Sequence, residues 1–127
     1  MNEKDLKLKD TVELMNSSEY KERFTAEYAQ TKIRYEKLKA YNNKIEAAQT
    51  TQREPAAPKK LEEPPHDCPA GLLREQQSVM GQYLHILELR AEIEGINLDD
   101  GLAYMRYCGE ICGKVMAKEP ARIEIEE

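Results

Sequence analysis

PAGLLREQQSVMGQYLHILELRAEIEG, residues 69–95, decides the fold of this 127-residue chain. The stretch opens on proline, a residue favoured in a first helical turn, and closes on Gly95, where a left-handed cap is expected. Between them Leu73, Gln77, Met80, Leu84, Leu87 and Ala91 recur in alternating steps of four and three. That rhythm predicts a helix with one buried seam, and a helix with one seam requires a partner. Upstream, Phe24, Tyr28, Thr31, Tyr35, Leu38, Asn42 and Ile45 keep the same rhythm. No proline or glycine falls between Asn16 and Ala48, and Asn16 and Glu19 are spaced to satisfy each other's free amides. A first long helix is therefore expected from Asn16 or Ser17 to Ala48, a rod of roughly 45 Å.

The expected fold class is all-α: a long two-helix hairpin, a shorter C-terminal helix and a Pro-rich linker between the long helices. Residues 49–66 hold Pro55, Pro58, Pro64 and Pro65 and no periodic apolar residue, which predicts an extended, mobile linker. About 18 linker residues could lead back along the whole first helix, so parallel and antiparallel pairings are both reachable; bundle topology favours antiparallel. Residues 1–15 form a short helix or are disordered, with Leu8, Val12 and Met15 at helical spacing and Asp10 to Glu13 resembling a capping box. Residues 67–118 carry the second long helix and, after a turn at Gly95 to Leu98, a third helix. Asp99 or Asp100 is the expected cap, with Leu102, Met105, Cys108, Ile111, Cys112 and Val115 on its apolar face. Pro120 stops it after Lys118, and the tail 119–127 alternates isoleucine with acids, as either a short edge strand or disorder.

With 40% hydrophobic residues, no tryptophan and one phenylalanine, the core must come from Leu, Ile, Met and Tyr and will be thin. A single layer of helices leaves apolar seam uncovered, so burial by a second copy is expected, with Phe24, Tyr28, Tyr35, Leu38, Ile45, Leu73, Met80, Leu84 and Leu87 as interface residues. The net charge of −5 comes from the C-terminal half, which excludes the broad basic field of extended nucleic-acid binding. The longest uncharged run ends at Leu87 and is far too short to span a bilayer. With no opening signal-like segment and three cysteines in no framework spacing, the expected setting is cytoplasmic.

No nucleophile elbow, phosphate loop, metalloprotease motif or paired catalytic carboxylates occur, so no enzyme and no cofactor are expected. Cys108 and Cys112 share a helix face, and His66, Cys68 and His85 could in principle complete a zinc site. The spacing fits no finger or ribbon, and packing cysteines are the commoner case. Gly109 and Gly113 notch the third helix for close approach of another helix. Seven tyrosines stand out in a chain with one other aromatic residue. A ring stacks on a base and a guanidinium forks onto phosphate, so Arg34, Tyr83, Arg90, Tyr104, Arg106 and Tyr107 are candidate ligand-binding residues. Tyrosines filling the seam, hydroxyls at its wet edge, are the plainer alternative. Thr31, Asn42 and Gln77 are polar residues at seam positions, which either fix register or line a polar cavity.

Two stretches resemble a known family: SEYKERFTAEYAQTKIRYEKL from Ser18 to Leu38, and CPAGLLREQQSVMGQYLHILELRAEIEGINL from Cys68 to Leu98. They are similar to small helical proteins of phages and prophages of Firmicutes, related to a crAss-like phage protein of unknown function. The resemblance implies a phage accessory product and brings no catalytic residues. The second helix, with Gln76, Gln77, Met80, Tyr83 and Arg90 on adjoining faces, is also similar in residue type to helices of phage anti-defence proteins that oligomerise and sequester cyclic nucleotide signals. The expected function is binding without catalysis, in the host cytoplasm. The partner would be a second copy together with a cyclic nucleotide or ADP-ribose-type signal, or a host defence protein. The alternative is a helical assembly adaptor.

Overall fold

A computed structural model describes the backbone of residues 6–114 and the side chains of residues 6–107. The expected roles of Cys108, Gly109, Ile111, Cys112, Gly113 and Val115, the helix end near Lys118 and the tail all lie outside the described residues. Regular structure among the described residues is all helical: a 3-10 turn over Leu8–Thr11, then α1 (Val12–Met15), α2 (Tyr20–Arg53), α3 (Ala70–Glu94) and α4 (Leu98–Lys114). The chain divides into two compact units, residues 1–30 with 88–127, and residues 31–87. The long helices α2 and α3 contribute to both.

In the first unit, local hydrogen bonds set the helix starts: Ser17, one of the two expected residues, starts α2, whereas Asn97 takes the place expected of Asp99 or Asp100 at α4. The Asp10 carboxylate accepts the Lys7 N–H at 2.9 Å, closing the 3-10 turn on itself. Asn16 N–H is committed to the Val12 and Glu13 carbonyls at the end of α1. Ser17 therefore starts α2: its Oγ accepts the Glu19 N–H at 2.9 Å and donates to the Glu22 carboxylate at 2.5 Å. At the end of α3, Gly95 takes φ 74° and the Ile96 N–H reaches back to the Ala91 carbonyl at 2.9 Å, the paired geometry of a left-handed helix cap. Asn97 caps α4 by accepting the Asp100 N–H at 3.0 Å, leaving Asp99 and Asp100 in the first turn, where the helix dipole favours them.

The core of this unit joins Leu14, Ala26, Ala29 and Met105, with Leu6, Leu102 and Tyr104 packed around them. Small residues on α2 let α4 come close. A Cβ at Gly101 would stand 2.3 Å from Thr25 Cγ2. Gly101→Ala is thus expected to cost about 1–3 kcal/mol even though alanine is the better helix former. Adding Thr25→Ala should recover most of that loss, since the nearest remaining Thr25 atom of the site, Cβ, lies at 3.2 Å. Chemical denaturation of the two single variants and the double variant measures the coupling.

In the second unit α2 runs five residues past the expected Ala48. Thr51 Oγ donates to the Ala48 carbonyl at 3.0 Å, and nothing opposes the helix until Glu54, whose proline neighbour disfavours helical backbone. Residues 54–69 then fold back along α2. Leu61 N–H binds Thr51 Oγ at 3.0 Å, Gln52 donates to the Leu61 carbonyl at 2.8 Å, and the Tyr41 hydroxyl donates to the Pro65 carbonyl. This return path makes the helix pair antiparallel: Asn42 reaches Leu73 and Gln77, and Gly81 lies against Tyr35. Pairs within the first unit have the same sense, Tyr28 with Glu88 and Tyr20 with Glu94. Ile45 and Leu87, each 1% exposed, anchor the second unit with Ala48 and Leu84.

His66 closes the returning segment. Its Nε2 lies 2.6 Å from a Glu63 carboxylate oxygen and its Nδ1 2.7 Å from the Cys68 carbonyl. Both partners accept, so both bonds form together only when the ring carries two protons. The Glu63 hydrogen bond, then the Cys68 carbonyl, raise the His66 pKa above its ordinary 6.5, with Asp67 adding to the effect. A raised histidine pKa contributes stability below the unfolded value, and that contribution is lost as pH rises through the folded value. Unfolding temperature is therefore expected to fall as pH climbs from the ordinary histidine value through the raised folded one, and His66→Gln should flatten that slope.

Candidate functional site

The second unit holds an open polar groove of about 860 Å³ along the α2–α3 pair. Tyr35, Asn42, Asn43 and Glu46 line it from α2; Arg74, Gln77, Ser78, Gly81, Gln82 and His85 line it from α3. The α3 residues follow from helical spacing. Positions 74, 77, 78, 81 and 85 form a polar face beside the apolar seam, and α2 presents Tyr35, Asn42 and Asn43 opposite. Gly81 is small for a reason: a Cβ there would press to 3.3 Å on the Tyr35 ring, which forms part of the groove wall.

Two features set this groove apart. Asn42 is 5% exposed, and its Nδ2 donates to the Leu73 carbonyl at 3.1 Å and to Gln77 Oε1 at 2.9 Å. Its Oδ1 is buried with no hydrogen-bond partner among the described residues. Leaving a buried acceptor unmet costs about 1–3 kcal/mol, so such an atom calls for an explanation. Arg74 is exposed, and its guanidinium forms no hydrogen bond or ion pair with another described residue. An unoccupied fork of five N–H donors beside carboxamides can take a phosphate or carboxylate while the amides meet the polar edge of a base.

The six residues expected to bind ligand do not line this groove. Arg34 and Tyr83 belong to the same unit and are exposed on their helices. The other four belong to the first unit. There Arg90 is already committed: Nε lies 3.1 Å from Glu94, an Nη donates to the Tyr20 hydroxyl at 2.7 Å, and the guanidinium sits 5.1 Å over the Phe24 ring. The Tyr20 hydroxyl donates to Glu94 at 2.8 Å and is the main cause holding the Glu94 carboxyl below its ordinary pKa. Tyr104 packs on the core and Arg106 is half-buried, whereas Tyr107 is 60% exposed. The expected interface residues Phe24, Tyr28, Ile45, Leu84 and Leu87 are buried within the single chain. Their apolar surface is spent on internal packing and is not available to a second copy.

Asn42 and Gln77 were legible as polar seam positions able to line a cavity; Arg74 was not singled out, because one arginine on an exposed face carries no pattern. Among the described residues, no group of three or more His, Cys, Asp or Glu is placed to hold a metal ion. Over the same residues, no helix is long and apolar enough to cross a membrane. A family model described as Sequestin matches residues 18–93. No curated protein and no solved structure matches the chain.

Proposed function

This chain belongs to the Sequestin family, and we propose that it is a non-catalytic binding protein of a phage or prophage that holds a nucleotide-derived signal in the groove of residues 31–87, blunting host defence. The buried, unpartnered Oδ1 of Asn42 carries the reading. A base N–H arriving at that atom, once the half-buried Gln77 carboxamide has moved aside, relieves a cost that the empty protein bears. Arg74 supplies the cation for a phosphate, and the Tyr35 ring the apolar wall. One free arginine suits a compact ligand with few phosphates better than a polyanion. Sequestration needs no reacting group, which agrees with a sequence that holds no catalytic motif. The setting for this reading is the host cytoplasm.

Isothermal calorimetry of the chain against cyclic dinucleotides and cyclic ADP-ribose isomers tests it. Saturable heat is expected with at least one of them. Arg74→Ala should weaken that ligand about tenfold or more, the worth of one charged hydrogen bond or two. No heat with any of these ligands would remove the reading and leave the adaptor alternative, in which the helices bind another protein.

A further inference from the structure

We propose that residues 63–68 form an acidity-sensitive latch, in which the doubly protonated His66 ring ties the returning segment to the start of α3 and so steadies one end of the groove. The segment is held in two places by different chemistry. At the end of α2 nothing titrates near neutral pH: Leu61 N–H meets Thr51 Oγ, Gln52 donates to the Leu61 carbonyl, and Lys60 Nζ donates to the Thr51 and Glu54 carbonyls at 3.1 and 2.5 Å. At the start of α3 the hold depends on His66, whose Nε2 and Nδ1 face oxygens of Glu63 and Cys68 at 2.6 and 2.7 Å. Both oxygens are acceptors, so a neutral ring sets a lone pair against one of them and that contact opens. The Glu63 carboxylate keeps the remaining proton on Nε2, because a bond to a charged acceptor is the stronger of the two. Cys68 is the contact given up.

That contact leads into the groove. Cys68 precedes Pro69, whose carbonyl accepts the Leu72 and Leu73 N–H groups at 3.0 and 3.2 Å and so starts α3. The Leu73 carbonyl in turn takes Asn42 Nδ2 at 3.1 Å, and Arg74 is the next residue. On the facing helix Tyr41, bonded to the Pro65 carbonyl, is the chain neighbour of Asn42. Latch and groove end are thus joined by consecutive bonds within one compact unit. A helix end whose lead-in is untied opens locally more often, without the rest of the fold. The charged groups acting on the ring are Glu63 and Asp67, carboxylates that both favour its protonated form. From α2, Gln49 reaches the same Glu63 oxygen at 3.3 Å and brings no charge. The latch therefore closes at lower pH and opens as pH rises through the raised His66 value. None of this depends on what the groove binds.

A pH titration of the chain by nuclear magnetic resonance, with amide exchange corrected for its intrinsic pH dependence, tests the latch. The His66 ring resonances should titrate above the ordinary histidine value of 6.5. Through the same midpoint the Asn42 side-chain amide should shift, and protection of the Leu72 and Leu73 amides should fall about fivefold, the effect of one charged bond at a partly exposed site. Leu61 should keep its protection. His66→Gln, with helical circular dichroism intact, should hold Leu73 at the low protection at every pH. Glu63→Gln keeps an oxygen acceptor and removes its charge, so it should bring the ring midpoint down toward 6.5 and the loss of protection with it. Protection that ignores pH in the wild type, a His66→Gln chain that matches the wild type at low pH, or an Asn42 amide that does not follow the ring would each overturn the proposal. So would Leu61 losing protection in step with Leu73, since the segment would then open as one body.

Discussion

Asn42→Leu is expected to make the protein more stable and a worse binder. Leucine keeps the branching and side-chain heavy-atom count of asparagine and removes the buried Oδ1 that has no partner among the described residues. The Gln77 carboxamide, half-buried, turns to water when its bond to Asn42 is lost. Replacing an imperfectly met buried polar group by an apolar one of similar shape should add about 1 kcal/mol to the unfolding free energy. The same change should weaken a ligand that donates to Oδ1 by about tenfold to a hundredfold. Urea unfolding and calorimetry on one preparation read both effects. If Asn42 serves only to set helix register, stability falls or the oligomeric state changes, and affinity for ligand is untouched.

Leu87→Ala should carry the largest stability cost. Its side chain is 1% exposed at the seam of the second unit, and removing three carbons from a packed site leaves a cavity the helices cannot fully close. A loss of about 2–5 kcal/mol is expected, a large part of the total for a chain this small. Gln76→Ala, on the exposed side of the same helix, should stay within about 0.5 kcal/mol of wild type. Guanidinium unfolding of both variants separates core packing from helix propensity, because alanine is a good helix former at either position.

The long helices were legible because their signals are local and repeated. Leu84, Leu87 and Ala91 keep the seam rhythm and are buried, and Gly95 adopts the left-handed cap its position called for. Helix starts were less legible. Asn16 and Ser17 are both competent caps, and the choice of Ser17 rests on a bond to Glu22 that no three-residue rule contains. The path of the linker was not legible for a related reason: its prolines exclude helix, but hydrogen bonds to Thr51, Gln52 and Tyr41 along α2 depend on the fold-back itself. The candidate site divided in the same way. Polar interruptions at Asn42 and Gln77 announced themselves against the apolar seam. Arg90 looked available in the sequence because its commitments to Tyr20 and Phe24 are made across two helices.

A nitrogen-15 NMR titration with the nucleotide that gives the largest calorimetric signal tests the central claim most directly. The account predicts shifts concentrated at the side-chain amides of Asn42 and Gln77 and the backbone amides around Arg74 and Gly81, and their loss in Arg74→Ala. Shifts confined to residues 1–30 and 88–107, or none at saturating nucleotide, would contradict it.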